Sequence, residues 1–112
     1  MKKAKLPRRQ RRQLDELLTR WGIWARERLN QDQRLKPPEA PDDVHQVDEA
    51  VIWLHTWARG QIIARYVDGK SEREVCKATG VPKKLYRMQF ETALVLIWLK
   101  LEKQAGIGRL VA

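Results

Sequence analysis

The stretch "SEREVCKATGVPKKLYRMQF", residues 71–90, decides how this chain folds. Ser71 with Glu74 three residues on is a capping box, which starts a helix at residue 72. Gly80 accepts the left-handed conformation that closes such a helix, here around Thr79. Pro82 suits the first turn of a new helix, where its missing N–H would have no partner in any case. Two helices joined by three or four residues including glycine make a helix-turn-helix. The apolar side chains agree. Val75 and Cys76 face inward from the first helix, Val81 fills the turn, and Tyr86 and Phe90 give the second helix its core contacts one turn apart. The basic residues left outside are Lys83, Lys84 and Arg87 on the second helix and Arg73 and Lys77 on the first. In this motif the start of the second helix enters the major groove of DNA. Lysine and arginine there pair with guanine O6 and N7 or neutralise phosphate. Lys83, Lys84 and Arg87 are the candidate readers, and Arg73 and Lys77 candidate contacts to the backbone beside the groove.

Upstream, "QIIARYV" reads as a short helix with Ile62, Ile63, Tyr66 and Val67 inward, closed by Asp68 and Gly69. Before it the periodicity predicts a helix from about Val44 to Ala58 and a break or bend at Gly60. Val44, Val47, Val51, Leu54 and Ala58 share one face of that helix, and Trp53 and Trp57 form a second stripe. Asp42 or Asp43 is its expected cap. Residues 31–43, with three prolines, read as a linker. Residues 8–30 read as an amphipathic helix, since Leu14, Leu17, Leu18, Trp21, Ala25 and Leu29 recur at helical spacing. Gly22 weakens it by about 1 kcal/mol relative to alanine and removes a side chain beside Trp21 and Trp24, where a partner could approach closely. Residues 1–7 read as a mobile basic arm. With the start of the helix they contain Lys2, Lys3, Lys5, Arg8, Arg9, Arg11 and Arg12, a candidate nucleic-acid arm.

Downstream, "ALVLIWLKL" is apolar all round the helix. Leu94, Val95 and Trp98 exceed the stripe Tyr86, Phe90, Ala93, Ile97 and Leu101, so either the N-terminal helix or a second chain must cover them. Residues 44–105 are thus read as a helix-turn-helix domain and 106–112 as a tail. The expected fold is all-α: a small helical domain with a helix-turn-helix, joined by a proline-rich linker to an N-terminal amphipathic helix.

A chain of 112 residues supports one small domain. Its 23 Lys and Arg against 14 Asp and Glu give a net charge of +9, which favours a polyanionic partner. The charge is segregated: residues 1–36 carry a net +8, residues 37–69 a net −4 and residues 70–112 a net +5. The single cysteine, Cys76, excludes an internal disulfide and fits a reducing cytosol. No apolar segment follows the basic N-terminus as in a secretory signal. The apolar run of residues 93–99 is far short of the about 20 residues that span a bilayer. A cytoplasmic location and no membrane partner are expected.

Asp42, Asp43, His45, Asp48 and Glu49 read as a solvated helix start rather than a metal site, because adjacent helical residues point about 100° apart. His55, between Trp53 and Trp57, reads as a partly buried surface histidine. The sequence has no glycine-rich phosphate loop, nucleophile elbow or zinc-binding cysteine set, so neither an enzyme nor a cofactor nor a metal is expected.

"RWGIWAR", residues 20–26, together with "IIARYVDGKSEREVCKATGVPKKLYRMQFETAL", residues 62–94, resembles the phage Q antitermination proteins, particularly the phage 21 type. The helix-turn-helix half is also similar to region 4 of bacterial sigma factors. The resemblance implies a protein that binds a DNA element near a phage late promoter, engages RNA polymerase and lets it read through terminators. Double-stranded DNA and bacterial RNA polymerase are the implied partners, the host cytoplasm the implied location, and Lys83, Lys84 and Arg87 the implied DNA readers. Nascent RNA for the arm, and a second copy on DNA, stay open. Trp21 and Trp24 around Gly22 are candidate polymerase contacts, the alternative being that they complete the core. Two other functions also stay open: a helix-turn-helix regulator (a sigma-like activator or a repressor) and a non-enzymatic RNA-binding or adaptor bundle.

Overall fold

The computed structural model describes residues 5–30 and 40–111, and over these residues the fold is all-α without strands. The helices are α1 (Arg8–Asn30), α2 (Asp42–Trp53), α3 (Thr56–Ile62), α4 (Glu72–Thr79) and α5 (Lys83–Val111). Widened π-helical winding continues α3 through Ile63–Val67. The greater part of the expected linker, and Lys2 and Lys3 of the arm, lie outside the described residues.

α1 forms where the periodicity put it. Leu14, Leu18 and Trp21 share one face and are 0%, 0% and 3% exposed. That face packs on α2 and on the π segment. Gly22 allows the contact: a Cβ there would stand 2.0 Å from the Tyr66 carbonyl oxygen. The close approach expected at Gly22 from a partner is instead made by the chain's own π segment. Two side chains fasten it. Arg26 donates to the Val67 carbonyl, with Nε at 2.8 Å, and Tyr66 Oη donates to Asp15 at 2.8 Å.

The expected helix 44–58 is instead two helices. Leu54 and His55 adopt extended ψ values of 155° and 154°, which end α2 and start α3. Neither glycine nor proline marks this break. It buries Leu54 in the core, and Arg59 compensates the freed backbone by donating to the carbonyls of Ile52 at 2.7 Å and Leu54 at 3.0 Å. Gly60, where a break was expected, lies inside α3, which continues through it. His55 is exposed rather than partly buried. At the start of α2, Pro41 holds the N-cap position. Asp42 and Asp43 stand in the first turn, where Asp43 accepts from the Val44 N–H at 2.8 Å.

α4 opens on the expected capping box. Ser71 Oγ accepts from Glu74 N and Glu74 Oε1 from Ser71 N, both at 3.1 Å. Gly80 closes it at φ 74°. Along α5, Leu94 and Ile97 are fully buried and Trp98 nearly so, against α2, α3 and α1. Leu94 and Trp98 are thus covered within the chain, while Val95 is half-buried and Leu99 of the same run is exposed. Two boundaries move. Leu6 belongs to the core, so the arm is anchored before α1 begins. α5 continues through residues 106–111, which the sequence set apart as a tail. Among the described residues no helix is long and apolar enough to cross a membrane.

Candidate nucleic-acid interface

The turn between α4 and α5 sets the direction in which α5 leaves, and Val75, Tyr86 and Phe90 anchor that direction. All three are buried. The Tyr86 and Phe90 rings stack at 5.7 Å, and Phe90 meets Tyr66 at 6.3 Å. The aromatic column joins the helix-turn-helix to the π segment that α1 grips. Burial pushes the Tyr86 phenol up from its ordinary pKa. The Tyr66 phenol is raised further, by burial and by its hydrogen bond to Asp15.

Lys83 and Lys84 are exposed at the start of α5, and no hydrogen bond or ion pair engages them among the described residues. Arg73 and Lys77 are likewise exposed and unpaired on α4. Arg87 differs. Its Nε lies 2.6 Å from Glu72 Oε1, so it ties α5 back to α4 instead of standing free. The sequence did not show this, because the distance between the two helices depends on the turn.

Two exposed apolar side chains share this face. Leu85 and Met88 are 39% and 47% exposed and, with Pro82 and Lys84, line a shallow hollow. Apolar side chains at this point of a reading helix suit the thymine methyl group. Their spacing from the buried Tyr86 was the signal that could have found them.

The other basic candidates divide. Arg8, Arg9 and Arg12 are exposed on α1, as is Lys5 before it. Arg11 pairs with Glu91 of α5. Trp21 is not available to a partner. It is buried, and its indole N–H donates to Asp48 at 3.0 Å. Trp24 is half-buried with the Arg28 guanidinium 5.3 Å from its ring. The exposed indoles are Trp53 and Trp57, at the α2–α3 break.

Among the acidic residues at the start of α2, His45 pairs with Glu49 at 3.0 Å while Asp48 is held by Trp21. No group of three metal-ligating side chains gathers among the described residues. The chain matches no protein-family model, no curated protein and no solved structure.

Proposed function

We propose that the protein binds double-stranded DNA through α4 and the start of α5 and acts as a phage late-gene antiterminator. In this reading it associates with bacterial RNA polymerase after loading at a DNA element near the promoter. The observation that carries DNA binding is the pair Lys83 and Lys84, exposed and unpaired three and four residues beyond Gly80, which closes α4. Two uncompensated cations at the N-terminus of a helix oppose its dipole, and a polyanion relieves that cost. The antitermination part rests on the resemblance of residues 20–26 and 62–94 to the Q proteins. A polymerase-facing surface is better sought at the exposed Trp53 and Trp57 than at the buried Trp21.

The test is transcription in vitro from a phage late promoter region followed by a strong terminator. The protein raises full-length transcript only on templates carrying its DNA site, and Lys83→Ala with Lys84→Ala abolishes the gain. Tight DNA binding with altered initiation and unchanged readthrough would leave a helix-turn-helix regulator. Preference for RNA over duplex DNA would leave the RNA-binding bundle.

A further inference from the structure

Between the arm, the π segment and the helix-turn-helix lies an open groove of about 640 Å³. Six cations line it against two carboxylates, Glu72 and Glu91. The carboxylates are already engaged, Glu72 by Arg87 and Glu91 by Arg11. Lys5, Lys83 and Lys84 therefore line the groove without an ion pair of their own among the described residues. Arg65 completes the set from the π segment. Its guanidinium lies 5.8 Å from the Phe90 ring centre and that of Arg11 5.9 Å, and Arg65 Nη1 donates to the Lys70 carbonyl at 2.9 Å. Tyr86, 2% exposed, also lines the groove, and its hydroxyl has no hydrogen-bond partner. A buried hydroxyl left without a partner is costly, and here it stands near both the Arg65 guanidinium and the Glu72 carboxylate.

We propose that this groove seats one phosphodiester strand of the DNA duplex, with Lys5 and Arg65 as phosphate contacts beside those of α5. The proposal rests on DNA reading by α5 and extends it to a second wall, built from the arm and the π segment. The groove is too large for a lone anion and opens beside Lys84, Leu85 and Met88. The strand it takes is therefore the one bordering the bases that those residues face. Phosphates along that strand supply the charge the three lysines lack. Contacts of this kind fix register without reading sequence.

The experiment is a salt series of duplex binding, read by fluorescence anisotropy with a mixed-sequence duplex and full-length protein. Removing one phosphate contact lowers the slope of log affinity against log salt by about 0.9. Lys5→Ala and Arg65→Gln should each do so and weaken all duplex sequences alike, while Arg65→Lys keeps most of the slope. Thermal midpoints measured alongside separate a folding defect in Arg65→Gln from a lost contact, and the exposed Lys5 gives an independent reading. Unchanged slopes for both, with binding still lost in Lys83→Ala plus Lys84→Ala, overturn the groove and leave DNA reading intact. No duplex binding by the unaltered protein removes both. Displacement of the duplex by equal single-stranded RNA, or by pyrophosphate alone, assigns the groove to another ligand and overturns the proposal.

Discussion

Arg87 Nε sits 2.6 Å from Glu72 Oε1, so the arginine near the start of α5 is held by the first turn of α4. The pair bridges the two helices across the glycine turn. A guanidinium so occupied must exchange a carboxylate for a phosphate or a base before it contributes to DNA binding. If Arg87 meets DNA as proposed, Glu72 lowers the affinity it adds.

Glu72→Gln should release Arg87. Duplex affinity rises, and the salt slope steepens by about 0.9 if the freed guanidinium meets a phosphate. The fold loses little, since such solvent-accessible pairs contribute about 0–1 kcal/mol. Anisotropy titrations checked against denaturant unfolding decide it, and unchanged affinity means that Arg87 does not touch DNA.

Gly22→Ala pits two effects against each other. Helix propensity favours alanine by about 1 kcal/mol. The added methyl, however, would stand 2.0 Å from the Tyr66 carbonyl oxygen. Backbone cannot swing away as a side chain can, so α1 must lift from the π segment, and overpacking of this kind costs about 1–3 kcal/mol or more. The expected outcome is a lower midpoint in urea; a stabilised variant would show that α1 and the π segment do not meet as described.

Leu6 changes what trimming the arm should do. Read from sequence as a mobile arm, residues 2–6 could be removed with the thermal midpoint nearly unchanged. With Leu6 only 9% exposed and in the core, that deletion also removes an apolar anchor. Leu6→Ala should cost about 2 kcal/mol, the low end for leucine truncation because the site borders the surface. Lys5→Ala should leave the thermal midpoint in place, which calorimetry on the two variants separates.

Glu74 supplies a pH signature. Its carboxylate is held below the ordinary glutamate range, first by the Ser71 backbone N–H and then by the Ser71 hydroxyl, with Lys70 adding a smaller effect. A lowered folded-state pKa means the cap stabilises fully above the unfolded glutamate value and fades as pH falls through the folded one. α4 should thus lose this contribution as pH falls through that folded value. Side-chain NMR titration of Glu74 should give a depressed value that Ser71→Ala returns toward normal; an ordinary value before substitution counts against the capping box.

Local chemistry made much of this legible beforehand. Ser71, Glu74 and Gly80 act within a few residues of themselves, so the limits of α4 could be read directly, and the exposure of Lys83 and Lys84 followed from helical period. The break at Leu54–His55 could not be read. It answers to burial of Leu54 and to Arg59 closing over two carbonyls, which are tertiary facts without a glycine or proline to announce them. The same holds for the site: Arg65 lay unnoticed inside an apolar run, and only the folding of α3 against α5 brings it to the groove with Lys5.

α5 carries Lys84 near its start and the fully buried Ile97 further along, with no glycine or proline between them. At 1.5 Å per residue the two are about 20 Å apart along one continuous rod. The end that carries Lys84 therefore has no hinge of its own, and the far end is clamped in the body of the protein. A duplex seated on α5 as proposed would fix the bearing of that body as a sextant arm fixes a sight line. Any second partner must approach from one compass direction, and lengthening the rod by a single residue would turn that direction by about 100°.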